Sequence, residues 1–388
     1  MSGQSRASYI VLDLFRRDLV NNMNSVAFFL GANTPTGFYS LFNELYKPED
    51  KWKMYIIKGG PGTGKSSLMK FIASEADKRG YKTEQIFCSS DPSSLDALII
   101  PDLNIAIADG TSPHIIEPVF PGVCENIVNL GECWNNTKLS ENREKIIDIT
   151  KENSRWHKQS VKYMSAASII DKEIYSNGKK ILNKSKIERY VNRTCNQIMN
   201  KTDADSFSVK KRFLSAVTPM GISIMYDSLY KYCDNVIAVK DKLTVAADYI
   251  MKYIYNYCIN NEISIILCMC PMNPENKIDH IILPDIRTGF FTANKYHPLS
   301  KQVSKTVNCK RFYDTDEYDA IKNKITFLNK AKEELISESV LCLKNAKSTH
   351  DTLESYYIAA MNYNRVSEIR NNLVKEVLNV SRETSDIV

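Results

Sequence analysis

Apolar positions along this chain fall into short solid runs separated by stretches whose apolar residues recur at helical spacing. Met54 to Lys58 is such a run, ending at glycines, and Lys65 to Lys78 follows with Leu68, Phe71, Ile72 and Ala76 at helical intervals. Glu84 to Cys88 reads as a second strand. Asp91-Pro92 then sets a capping carboxylate before a proline at the first helical position, which predicts a short helix toward Ala97. Ile105 to Asp109 is a third buried strand, closed by a carboxylate. Strands alternating with helices predict an α/β fold with a parallel sheet and right-handed crossovers, so that the strands' carboxyl ends share one edge. The glycines after Lys58, Asp91 and Asp109 are expected to converge there.

After Pro121 the pattern changes. From Leu139 to Asn200 the chain is polar, lysine-rich and helical in spacing, with Ile146, Ile149, Trp156, Tyr163, Ala167 and Ile170 close to one stripe. Tyr318 to Leu378 repeats the design through Ile321, Ile325, Leu328 and Leu335, then Val366, Ile369, Leu373 and Val377. Such stripes predict helices that cover sheets or pack on each other; an arm that binds a partner is the alternative.

The same order of elements occurs twice. Tyr55-Ile56-Ile57-Lys58 matches Ile237-Ala238-Val239-Lys240, an offset of 240 − 58 = 182, and Leu68 to Ile72 matches Ile250 to Ile254. Upstream, Phe29 to Gly37 matches Phe213 to Gly221, each containing Thr-Pro-x-Gly; downstream, Leu98 to Asp102 matches Ile281 to Asp285. Three islands in one order imply a tandem duplication. Fainter similarity of His157 and Tyr163 to Ala167 with His350 and Tyr356 to Ala360 extends it to the helical tails. Domains are therefore expected at 21–200 and 205–388, joined by a linker at Thr202 to Ser208.

A length of 388 residues accommodates two such cores. With 43% hydrophobic and 25% charged residues the composition is that of a globular protein. The net charge of +6 is spread along the chain, which favours small anionic ligands over nucleic acid. No apolar run is long enough to cross a bilayer, and Met1 to Phe15 is too polar and broken for a secretory signal, so a cytoplasmic protein without membrane partners is expected. The ten cysteines carry no paired metal spacing and read as thiols. Cys268 and Cys270 share a strand face, as two metal ligands could, but buried strand thiols account for them better.

Candidate chemistry is concentrated in Gly59-Gly60-Pro61-Gly62-Thr63-Gly64-Lys65-Ser66. A GxxxxGK[ST] loop between strand and helix turns consecutive N–H groups toward phosphate oxygens at the positive end of the helix. Gly59, Gly62 and Gly64 permit close backbone approach. Lys65 is expected to reach the β- and γ-phosphates and Ser66 to hold Mg²⁺, with Gly60, Pro61, Thr63 and Ser67 completing the binding set. Asp109 is placed to hold the same Mg²⁺, or to act as a turn residue before Gly110. In the second repeat it falls opposite Thr292, so the metal carboxylate and the phosphate loop were lost together. Asp91 is either a substrate-binding or proton-accepting carboxylate or an N-cap. His114 matches His297, which persists where the loop has gone, and is expected to be structural.

In these features the chain resembles P-loop NTPases, and as a whole an uncharacterised bacterial family of tandem P-loop ATPase-like proteins. Tyr55 to Ser66, Ala106 to His114 and the repeated Thr-Pro-x-Gly carry the resemblance. It implies two three-layer α/β/α domains with mostly parallel sheets, each followed by a helical segment, and ATP bound with Mg²⁺ at the first. Many P-loop ATPases place a glutamate directly after the strand-ending aspartate; here Gly110 stands there, leaving Glu117, Thr111 or His114 to position water. Arg212 is one candidate to reach the γ-phosphate. Asp241 and Asp248, in the second repeat's former loop, are expected to repel phosphate, giving one nucleotide per chain. Three activities follow: ATP hydrolysis run by Lys65 and Asp109, transfer to a small-molecule acceptor in a kinase using Asp91, or nucleotide sensing, with any protein partner unspecified.

Overall fold

A computed structural model describes residues 25–198, 207–298 and 303–379. The linker expected at Thr202 to Ser208 lies outside them except for Phe207 and Ser208, as does Met1 to Phe15. The fold is α/β, with two six-stranded, mostly parallel sheets followed by helices. In the first half the strands are β1 (Ser25–Phe28), β2 (Gly31–Thr34), β3 (Gly37–Ser40), β4 (Lys53–Lys58), β5 (Thr83–Phe87), β6 (Leu95–Ile100), β7 (Ile105–Asp109) and β8 (Glu125–Asn129). The helices are α1 (Lys65–Lys78), α2 (Asn136–Glu141), α3 (Arg143–Lys180) and α4 (Lys184–Ile198). The sheet runs β1-β5-β6-β7-β4-β8, and only β6 opposes its neighbours. Strands buried on both faces read as near-continuous apolar runs, as β4 and β7 do.

Two local expectations are corrected. No helix follows Asp91-Pro92: the Asp91 carboxylate accepts hydrogen bonds from Ser93 N–H and from the Ser93 and Ser94 hydroxyls, closing a turn into β6. All six residues of β6 are buried, and pairing on both sides outweighs the capping signal. Phe71 lies off the buried face of α1, 36% exposed beneath the Arg370 guanidinium, while Leu68, Met69, Ile72 and Ala76 form the core stripe.

The second half repeats the plan. Its elements are β9 (Val209–Arg212), β10 (Ser215–Thr218), β11 (Gly221–Ile224), α5 (Tyr226–Tyr232), β12 (Asn235–Lys240), α6 (Val245–Asn260), β13 (Ile265–Met269), β14 (Ile278–Leu283), β15 (Thr288–Ala293), β16 (Lys305–Asn308), α7 (Thr315–Ala360) and α8 (Tyr363–Asn379). The order β16-β12-β15-β14-β13-β9 matches the first sheet strand for strand, with β14 as its antiparallel member. Ile57 pairs with Asp109 and Val239 with Thr292, so Asp109 and Thr292 hold one register position. The Thr-Pro-x-Gly segments are the turns of β2–β3 and β10–β11. In each, the threonine hydroxyl accepts from an N–H two residues on and donates to the glycine carbonyl. Gly37 and Gly221, at φ 118° and 106°, lie in the left-handed region that glycine favours.

The compact units do not follow the linear division at 21–200 and 205–388. The described part of one unit comprises 25–31, 40–159 and 341–379; that of the other comprises 32–39, 160–198, 207–298 and 303–340. Thus α8 and the end of α7 belong with the first sheet, and α4 and the end of α3 with the second. In the first unit, Trp134 bridges Met361, Asn362 N–H donates to Cys133 O, and the Tyr55 hydroxyl donates to Glu376. In the second unit, Leu182 bridges Tyr313 and Asn183 N–H donates to Phe312 O. These bridges relate the helical tails by 313 − 134 = 361 − 182 = 179 residues. The similarity at His157 and His350 therefore does not mark equivalent positions; in the first unit the two are close enough for their charges to interact.

Candidate functional site

Between β4 and α1 the chain makes a six-residue glycine loop, 59–64. Gly62 and Gly64 take φ of 69° and 94°. A Cβ on Gly59 would stand 2.8 Å from the Thr63 hydroxyl, itself donated to Gly60 O at 2.9 Å. The loop thus needs its glycines for both torsion and space. At its end Gly64 O accepts from Leu68 N–H, opening α1.

Lys65, in the first turn, is 9% exposed, and its ammonium donates to Gly59 O at 2.9 Å and Gly60 O at 2.7 Å. Asp109 Oδ2 lies 3.5 Å away. The register of β4 with β7 creates this meeting, because both strands end at the same edge. Asp109 Oδ1 accepts from the N–H and hydroxyl of Thr111, fixing the carboxylate. The Ser66 hydroxyl accepts from Leu95 N–H at 2.9 Å, while Ser67 is exposed and Pro61 partly so.

The remaining candidates are engaged with partners of their own, although His114 lies near enough to Asp109 and Lys65 to feel both charges. Asp91 is tied to its serines and lies 3.6 Å from Lys347. Burial alone would raise its pKa, but the Ser93 and Ser94 hydrogen bonds and Lys347 bring it below the ordinary value. His114 is buried, stacked on Phe42 at 4.5 Å, with Nε2 3.4 Å from Asp96. Burial opposes its charge, yet Asp96 raises its pKa overall. Glu117 is drawn into an ion pair with Lys58, whose ammonium also donates to Gly110 O and Ile116 O. Arg212 is not a free cation: it is 3% exposed, on β9 of the second unit.

Gly110 has a steric reason. A Cβ there would stand 2.3 Å from Ile56 Cγ2, in the fully buried centre of β4, so no glutamate fits after Asp109 without displacement.

The tail helices supply residues that local sequence patterns did not reveal. In the first unit the Tyr357 ring covers Gly60, where a Cβ would meet it at 2.7 Å; Ile358 and Glu354 cover Gly62, whose carbonyl accepts from the Tyr363 hydroxyl. A cavity of about 580 Å³ lined by Trp134, Lys138, Tyr363 and Arg365 is part of this neighbourhood. His350, Asp351 and Glu354 bring ligand atoms within 4.8 Å of one another, but Asp351 pairs with Lys347 and His350 with Glu354. At the offset of 179 set by the bridges, Tyr357 corresponds to Gly178. In the second unit Gly178 faces Val245 and Leu243, so bulk on the helix in one unit is exchanged for bulk on the loop in the other.

The second unit's equivalent turn, 241–244, has four residues. Thr244 adopts φ 63° at the position before the helix, as Gly64 does in the first. The Asp241 carboxylate points inward, accepting from Leu243 N–H, Ala247 N–H and the Tyr313 hydroxyl at 2.8–3.0 Å. It is an internal anion at a helix N-terminus. Burial raises its pKa despite these bonds. Asp248 lies within α6, bonded to the Tyr175 hydroxyl and Lys252. Cys268 and Cys270 are buried, and burial pushes the Cys270 thiol up to about 12. Among the described residues no helix is long and apolar enough to cross a membrane.

No protein-family model, curated protein or solved structure matches this chain.

Proposed function

We propose that the first unit binds ATP with Mg²⁺ in the manner of a P-loop NTPase and hydrolyses it slowly. The observation that carries this reading is the meeting of Lys65 with Asp109 beneath a loop whose glycines are required by torsion and space. Loop N–H groups and Lys65 would neutralise the phosphates; Ser66 and Asp109 would hold the metal. When bound there, Mg²⁺ would supply positive charge against the phosphates. Lys65 exchanges its bonds to Gly59 and Gly60 carbonyls for phosphate oxygens, and Thr111 keeps Asp109 oriented. Such chemistry is largely positioning and charge stabilisation, and with no carboxylate directly after Asp109 the attacking water is weakly oriented. Gly110 therefore also favours a second reading, nucleotide sensing with little turnover. The kinase reading is less well supported, because Asp91 is occupied by two serines and Lys347. The second unit's turn takes no nucleotide, since Asp241 already satisfies the helix N-terminus. The scattered cysteines without paired spacing support a reducing, cytoplasmic setting.

The test is phosphate release from γ-labelled ATP with Mg²⁺, together with nucleotide bound per chain, for the native protein and Lys65→Ala. Release that disappears in the variant, with one nucleotide at the glycine loop, supports the ATPase. Tight binding without release selects the sensor, and absence of Lys65-dependent binding refutes the proposal.

A further inference from the structure

The second unit contains a cavity of about 700 Å³ at the carboxyl edge of its sheet, within the size range of small-molecule sites. Three segments form it: residues 240–244, residues 293–298 after β15, and the first turns of α7. Six lysines line it: Lys240, Lys242, Lys295, Lys322, Lys330 and Lys332. Lys295 is paired with Glu333, and Lys332 with Asp171 at 2.6 Å while lying over the Tyr296 ring. The other four ammonium groups have no ion pair or hydrogen-bond acceptor among the described residues. Asp241 also lines the cavity, but its carboxylate is committed to Leu243, Ala247 and Tyr313 and leaves the lysines uncompensated. Between the charges lie Tyr318, Ile321 and Ile325.

We propose that this cavity binds a small phosphate-bearing molecule, its phosphates held by Lys240, Lys242, Lys322 and Lys330 and its apolar or planar part by Tyr318, Ile321 and Ile325. Gathering four unpaired cations around a concavity raises the local potential, and a multiply charged anion relieves it. Lysine serves phosphate as a point charge and needs no loop of amides. The site therefore survives the loss of the glycine loop, and the inference does not rest on ATP binding at the first unit.

The probe is pyrophosphate without metal, titrated calorimetrically into the full chain carrying Lys65→Ala, which removes the glycine loop's own lysine. One bound pyrophosphate is expected, weakened roughly tenfold or more by adding Lys242→Glu and Lys322→Glu, two exposed positions. Lys51→Glu with Lys82→Glu, an equal charge change on exposed lysines of the first unit, should leave affinity within about twofold. Circular dichroism establishes that all variants are folded. No binding to the Lys65→Ala chain, or equal weakening by both pairs, overturns the assignment. Loss of ATP binding in Lys65→Ala is read separately, so failure at one site does not mimic failure at the other.

Discussion

Replacing Gly110 by alanine tests whether steric exclusion, rather than chemistry, keeps a side chain from following Asp109. The new Cβ would lie 2.3 Å from Ile56 Cγ2, with Ile116 O and Lys58 Cε at 3.3 Å. Ordinary carbon contacts are about 3.5–4.0 Å, so Ile56 has to retreat by more than about 1 Å. It has little freedom to do so, being fully buried on an interior strand and paired to Ala108 on one side and Ile127 on the other. Overpacking of this kind costs about 1–3 kcal/mol, and the severity of the overlap places Gly110→Ala near the top of that range. Ile56→Ala removes the opposing methyl at its own cost of about 2–5 kcal/mol. If the overlap is the cause, the double variant loses less than the sum of the two by about 1–3 kcal/mol. The chain's tryptophans, Trp52, Trp134 and Trp156, all lie within the first unit, so their fluorescence during urea unfolding reports that unit alone. A native midpoint for Gly110→Ala, or strict additivity with Ile56→Ala, would refute the reasoning.

Asp241→Ala strands two N–H donors and the Tyr313 hydroxyl; it should destabilise the second unit by about 3–5 kcal/mol, seen as faster hydrogen exchange in α6, while ATP binding at the glycine loop is unchanged. Asp279 is buried; burial pushes its pKa up, but Lys277 at 3.4 Å and the neighbouring His297 and His280 pull it from 3.8 down to about 2. Because the folded pKa is depressed, this carboxylate contributes about 2 kcal/mol that is present above pH 4 and lost as pH falls toward 2. Lys277→Met should accordingly move acid unfolding of segment 278–293 to higher pH by roughly a unit, and an unmoved exchange profile would count against the pairing. Lys65→Ala should abolish Mg²⁺-dependent phosphate release, as measured in the labelled-ATP assay above.

The repeat, the strand–loop–helix setting of the glycine loop and the convergence of that loop with Asp109 are legible in the sequence alone. These rest on local signals: apolar runs of strand length, glycines at positions where a side chain is strained or crowded, and parallel strands ending at a common edge. The sequence also specifies that the tail helices bury a stripe, through Ala167 in the first tail and Val366, Leu373 and Val377 in the second. A stripe records that a helix face is buried, not which sheet buries it. Packing between distant segments sets α8 in the first unit and α4 in the second, which brings Tyr357 onto Gly60 and Gly178 against Leu243. It alone turned the segment after Asp91-Pro92 into β6, since pairing on two sides outweighs one capping signal. Likewise, that Asp241 faces inward as an anion, that Ile56 excludes a side chain at Gly110, and that lysines distant in sequence gather around one cavity are facts of packing between segments. Periodicity within a segment carries no record of them.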